Sequence, residues 1–135
     1  MKINKVYIID DDLITQFGIK KLLSRVDPDC EVLQFENGKT ALSGILADME
    51  KDALPNVLFL DINMPIMDGW QFLEELVKLP IAQKLLINIL TSSIDKYDQM
   101  KWKEYKMKSH HIIKYDNKPI YQIDIEQLLS VNIAS

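Results

Sequence analysis

A chain of 135 residues, 47% hydrophobic and 27% charged, has room for one domain built on a sheet covered by helices on both faces, and for no second one. Its net charge of −4 argues against a dedicated nucleic-acid binder, which needs a basic surface to track phosphates. A single cysteine, Cys30, leaves no intrachain disulfide and no cysteine-based metal site, and suits a reducing compartment. No apolar run approaches the roughly 20 residues that span a bilayer. Met1-Lys2-Ile3-Asn4 leads straight into a strand without a signal peptide, so the expectation is a cytoplasmic protein with no membrane contact.

The first apolar run, Val6-Tyr7-Ile8-Ile9, ends in the acidic cluster Asp10-Asp11-Asp12. Leu13 to Arg25 then places Ile14, Phe17 and Leu22 at helical spacing, and Val26-Asp27-Pro28-Asp29 stops the helix. A strand is predicted at Glu31 to Phe35. Asn37 caps a helix running to about Lys51, with Ala41, Leu42, Ile45 and Leu46 turned inward. Pro55 marks the return to a third strand, Val57-Leu58-Phe59-Leu60, which ends at Asp61. Asp61 to Gly69 reads as a turn-rich connection, because Pro65 fixes one torsion and Asp68-Gly69 favours a tight reversal.

A third helix follows from about Trp70 to Leu79, and Pro80 ends it. The fourth strand, Leu85 to Leu90, runs into Thr91. A fourth helix is expected from about Asp95 to Tyr105, a fifth strand from His111 to Tyr115, and a last helix from about Tyr121 to Val131. Strict alternation of five strands and five helices makes an α/β, doubly wound parallel sheet. Between Lys96 and Lys118 the chain carries +4 and elsewhere −8; this is either a solvated helix face or a docking surface for an acidic partner.

Asp10 and Asp11, Asp61, Thr91 and Lys114 each follow an apolar run, so parallel strands would deliver all of them to one sheet edge, where ligands bind in open α/β folds. Converging carboxylates repel one another, and a hard divalent cation such as Mg2+ is the remedy that keeps them ionised. Asp61 would then be a nucleophile toward phosphorus, with the Thr91 hydroxyl and the Lys114 ammonium sharing the charge of the transferred group. Asp12 reads as a helix cap and Asp68 as a turn residue. Ser92 and Ser93 read as loop and cap residues, and Trp70 and Trp102 as packing or partner contacts. His110 and His111, adjacent on a strand, would point to opposite faces and form no metal pair.

Asp10-Asp11 after Tyr-Ile-Ile, Leu60-Asp61-Ile62-Asn63-Met64-Pro65-Ile66-Met67-Asp68-Gly69, Leu90-Thr91-Ser92-Ser93 and Ile113-Lys114 together resemble the receiver domain of two-component response regulators, over essentially the whole chain. The resemblance implies a single stand-alone receiver of chemotaxis type over residues 1–135, with flavodoxin-like strand order 2-1-3-4-5. It implies that Asp61 is the phosphoacceptor, that Asp10, Asp11, Asp61 and the Asn63 backbone carbonyl bind Mg2+, that Thr91 is the switch threonine and that a lysine contacts the phosphoryl group. The donor would be a histidine kinase or phosphotransfer protein. The output would be a downstream protein bound through helix four, strand five and helix five. Asn63 and Ser93 would influence the lifetime of the aspartyl phosphate.

Two features depart from the family pattern. Lys-Pro usually ends strand five, yet Lys114 is followed by Tyr115 and a Lys-Pro pair stands later, at Lys118-Pro119. Lys114 is preferred because it closes the apolar run. That choice puts His111 at the switch-aromatic position, three residues before the lysine, and predicts pH sensitivity. The protein would not be an enzyme beyond self-catalysed phosphorylation and dephosphorylation. Alternatives are a receiver cut from a longer regulator or hybrid kinase, a Mg2+-dependent aspartyl-phosphate phosphatase, for which Asn63 stands where a second acid is wanted, and a flavin binder, disfavoured by the acidic loop after strand one.

Overall fold

Three of the five strands open on apolar residues, and the sheet that the five form carries a core on each face. The computed structural model describes residues 3–130. In chain order the elements are β1 Lys5–Ile9, α1 Leu13–Val26, β2 Glu31–Phe35, α2 Gly38–Glu50, β3 Val57–Leu60, α3 Gly69–Lys78, β4 Leu86–Thr91, α4 Lys96–Lys108, β5 Ile112–Asn117 and α5 Gln122–Leu129. The sheet is parallel throughout, in the order β2-β1-β3-β4-β5. β3 and β4 are buried along their whole length, as expected of central strands covered on both faces.

Alternate residues divide between two cores. Tyr7, Ile9, Leu58, Leu60, Ile87 and Ile89 pack with Ala41 and Ile45 of α2, Phe72, Leu73 and Leu76 of α3 and Tyr105 of α4. On the other face Val6, Ile8, Val57, Phe59, Leu86 and Leu90 meet Ile19 and Leu23 of α1 and Ile125 and Leu128 of α5. The register aligns Ile9 with Leu60 and Leu60 with Ile89, so Asp10 and Asp61, just beyond their strands, and Leu90-Thr91, the last residues of β4, reach one edge together.

Several helix faces differ from the spacing argument. Ile14 and Phe17 of α1 are 83% and 66% exposed, and the inward stripe is Gln16, Ile19 and Leu23. Gln16 is buried because its amide donates to the carbonyls of Asp10, at 2.5 Å, and Phe35, at 3.2 Å, tying α1 to the ends of β1 and β2. The last helix was expected to reach Val131, which lies outside the described residues. No helix among the described residues is long and apolar enough to cross a membrane.

The limits of β5 depart from expectation in a way that bears on the sheet edge. It starts at Ile112 and continues past the apolar pair through Tyr115, Asp116 and Asn117, with Leu90 opposite Asp116 and Thr91 opposite Asn117. An edge strand has one flank in solvent, so its length follows the hydrogen-bond ladder and not the apolar run. His110 and His111 precede the strand, and their rings lie 4.0 Å apart instead of on opposite faces. His111 is buried, accepts the Leu85 N–H at Nδ1, 3.0 Å away, and is held down to about 4 by burial and then by its neighbour His110. The predicted pH sensitivity of His111 is therefore corrected: the ring stays neutral at physiological pH and serves the turn into β5.

Candidate functional site

Each acidic residue at the sheet edge is held by its own loop. Asp10 is buried, and its Oδ1 accepts the Asp12 N–H at 2.8 Å. Asp12 caps α1, accepting from the Ile14 N–H and the Thr15 hydroxyl. Asp11 is exposed. Asp61 is 6% exposed, and its Oδ1 accepts the N–H of Ile62 at 2.8 Å. One oxygen from each of Asp10, Asp11 and Asp61 lies within 4.8 Å of the others.

The loop after Asp61 is bent to fit. Met67 N–H donates to Pro65 O at 2.8 Å around Ile66, whose φ of 70° marks a γ-turn that an isoleucine enters only under strain. Gly69 N–H returns to Ile62 O, and a Cβ on Gly69 would stand 2.5 Å from the Asp61 carbonyl oxygen. Asp68 caps α3 in a reciprocal pair with Gln71. Asn63 is exposed in this loop, two residues beyond Asp61.

The lysine at the site is Lys118. Its Nζ lies 2.8 Å from Asp10 Oδ2 and 3.6 Å from Asp61 Oδ2. Lys118 N–H donates to Thr91 O at 2.9 Å, one step beyond the strand ladder, and the following peptide bond to Pro119 is cis. Lys114 pairs with Asn88, three residues below the Thr91–Asn117 level, or about 10 Å down a strand from the edge. It makes no ion pair among the described residues and lines a groove between α4 and α5 instead. The preference for Lys114 is corrected: β5 runs on past the apolar pair, and the Lys-Pro pair carried the better signal. The residue three before the site lysine is then Tyr115, not His111.

Electrostatics follow from this packing. Asp61 is pushed up to about 6, by burial first and by Asp10 second, with Lys118 opposing. Asp10 is raised by burial, which outweighs its hydrogen bond and ion pair with Lys118. Lys118 is raised because attraction from the two carboxylates exceeds its own burial penalty. Three acids against one ammonium leave uncompensated negative charge, and a hard oxygen-binding cation fits that donor set.

Thr91 is fully buried at the end of β4, and its Oγ1 accepts the Ser93 N–H at 3.2 Å. The Ser93 carbonyl accepts from the Tyr115 hydroxyl at 3.2 Å and from Asn117 Nδ2 at 2.9 Å. Trp70 and Trp102, expected as packing or partner contacts, also donate: Trp70 to Asp98 and Trp102 to the Ile113 carbonyl of β5. No motif marks the Trp70–Asp98 contact, since the two lie 28 positions apart in sequence.

Comparison with known proteins bears on this arrangement. The family model described as the response regulator receiver domain matches residues 6–129. The crystal structure of a two-component response regulator from Cytophaga hutchinsonii superposes with a TM-score of 0.76 at 26% identity, covering 96% of each chain. The chemotaxis protein CheY4 of Vibrio cholerae shares the fold, with a TM-score of 0.73 at 20% identity over 95% of this chain and 97% of that one. A protein-glutamate methylesterase/protein-glutamine glutaminase of Methylobacillus flagellatus is 38% identical over 88 residues, 64% of this chain and 23% of that protein. The chain thus spans about a quarter of such relatives, and the activity in their name is theirs.

Proposed function

The chain belongs to the response regulator receiver domains, whose model covers it from residue 6 to residue 129, and from that premise we propose that it is a phosphoacceptor switch in which Asp61 takes a phosphoryl group from a histidine kinase or phosphotransfer protein. The observation that carries the reading is the meeting of Asp10, Asp11 and Asp61 with Lys118 at the carboxyl edge of the sheet. Asp61 Oδ2 is the nucleophile. As its bond to phosphorus forms, the bond from phosphorus to the donor's imidazole nitrogen breaks and that nitrogen keeps the electron pair. A pKa near 6 leaves Asp61 ionised at neutral pH. Lys118 is positioned to transfer its attraction from the carboxylates to the incoming phosphoryl oxygens, and the Thr91 hydroxyl supplies a short donor.

Asp10, Asp11, Asp61 and the Asn63 carbonyl would hold Mg2+, with Asn63 retained from the family pattern. When bound, the ion neutralises the acids and the phosphoryl charge. The donor approaches over α1, where Leu13, Ile14 and Phe17 are exposed beside the acidic loop. Output passes through the α4–β5–α5 face, where a groove of about 610 Å³ is lined by Trp102, Lys106, Lys114, Tyr115 and Leu128. Beyond self-catalysed gain and loss of phosphate, the chain needs no enzymatic activity in this role.

Incubation with acetyl phosphate and Mg2+, followed by intact-mass measurement, tests the reading. The expected gain is about 80 Da in the wild type and none in Asp61→Asn. An unmodified wild type, or equal modification of Asp61→Asn, overturns it.

A further inference from the structure

Asp98 stands in the first turn of α4, 8% exposed, with both carboxylate oxygens taken. Oδ1 accepts Trp70 Nε1–H at 2.9 Å, and Oδ2 accepts the Ser93 hydroxyl at 2.6 Å. Trp70 follows Gly69, whose N–H is bonded to Ile62 O and where a Cβ would collide with the Asp61 backbone. Trp70 is itself stacked on Tyr105 of α4, with centroids 6.0 Å apart and planes 9° apart. Ser93 leads the other way: its N–H donates to Thr91 Oγ1, and its Oγ also accepts the Asp95 N–H at the start of α4. One buried carboxylate therefore joins the helix behind the acceptor aspartate to the loop that carries the threonine.

A buried charge is tolerated only where hydrogen bonds replace its hydration, and two such bonds to fixed donors make Asp98 a rigid node. Five hydrogen bonds around Ser93 leave the loop little freedom: Asp98 accepts from its hydroxyl, the Asp95 N–H donates to that oxygen, Tyr115 and Asn117 donate to its carbonyl, and Thr91 takes its N–H. Ordering a hydroxyl donor before the phosphoryl group arrives removes that entropy cost from the transfer step.

We propose that Asp98 is a positioning residue for phosphoryl transfer: from α4 it pins Ser93, and with it Thr91, against an α3 fixed through Trp70, so that the Thr91 hydroxyl is ordered before Asp61 is phosphorylated. The inference rests on the phosphoacceptor reading above. It differs from a purely structural role because Asp98 acts through Thr91 and leaves the metal ligands alone.

The test is the affinity of the full chain for beryllofluoride, a phosphoryl mimic, in saturating Mg2+, measured by ¹⁹F NMR for wild type, Asp98→Asn and Ser93→Ala, each also in a Thr91→Ala background. Loss of one charge-assisted hydrogen bond predicts about a tenfold weaker affinity for Asp98→Asn. Ser93→Ala, which cuts one arm and leaves the buried acid bonded to Trp70, should weaken binding in the same direction. Mg2+ affinity should be unchanged in both. With Thr91→Ala already present, Asp98→Asn should have no further effect. The proposal is overturned if Asp98→Asn and Ser93→Ala bind the mimic as tightly as wild type, or if their losses persist undiminished without the threonine. A wild type that takes up no beryllofluoride would defeat the phosphoacceptor reading itself, and is thereby distinguished.

Discussion

Replacing Lys118 by methionine removes a charge while keeping most of the side-chain volume, and its cost can be worked from the site. At an effective dielectric constant of about 20, unit charges at the observed 2.8 Å and 3.6 Å attract by roughly 6 and 5 kcal/mol. The full sum cannot appear as lost stability, because a carboxylate deprived of its partner takes up a proton. Neutralising an acid of ordinary pKa at pH 7 costs about 4 kcal/mol, which is the ceiling for Asp10. Asp61 already stands at about 6, so only about 1.4 kcal/mol remains before it is protonated at pH 7. Relief of the buried ammonium offsets part of both. The expected loss for Lys118→Met without Mg2+ is therefore about 2–4 kcal/mol at pH 7, shrinking below about 1 kcal/mol at pH 4.5. Lys114→Met should change stability by less than about 0.5 kcal/mol at either pH. Urea denaturation with EDTA reads all four values. A Lys118→Met deficit that does not change with pH, or a larger one for Lys114→Met, refutes the reasoning.

Asp61 has a folded-state pKa of about 6, above its unfolded value, so the folded chain binds the extra proton and metal-free stability should fall as pH rises from about 4 through 6. Urea titrations with EDTA should show this slope; Mg2+ at pH 8 should recover the loss, and Asp61→Asn should flatten the slope. Gly69→Ala forces a methyl group toward the Asp61 carbonyl, 2.5 Å from the built Cβ position. It should cost about 2 kcal/mol in the same assay and slow labelling by acetyl phosphate. Ile14→Lys, at an 83% exposed position, should leave labelling by acetyl phosphate intact and slow transfer from a phosphorylated protein donor; equal rates from that donor would remove α1 from the docking surface.

The parts of the fold legible in the sequence are those buried on both sides. Val57–Leu60 and Leu86–Leu90 announce themselves because a central parallel strand is a near-continuous apolar run, broken here only by Asn88, and the acids and threonine that follow them are then located by strand ends alone. Asn37 and Asp68 were legible as cap and turn residues for a local reason, since their partners Thr40 and Gln71 lie three residues away. β5 was misjudged because Lys114, Asp116 and Asn117 belong to a solvent-flanked edge, where Asn88 takes up Asp116 at 2.9 Å and the ladder tolerates polar residues. The Lys118-Pro119 pair held the missing information. Trp70–Asp98 spans 28 positions and has no motif, so only folding reveals it. The exposure of Ile14 and Phe17 was equally hidden, because helical spacing gives a stripe without saying which side faces the sheet.

The central claim is that one aspartyl oxygen, and no neighbouring group, receives the phosphoryl group. Acetyl phosphate labelling in Mg2+, trapping of the acyl phosphate with borohydride and peptide mapping address it directly. Reduction is predicted at Asp61 alone, with Asp10 and Asp11 unmodified and no label once Mg2+ is chelated. Reduction at Asp10 or Asp11, or a stable phosphate on Thr91 or Ser93, would contradict the account.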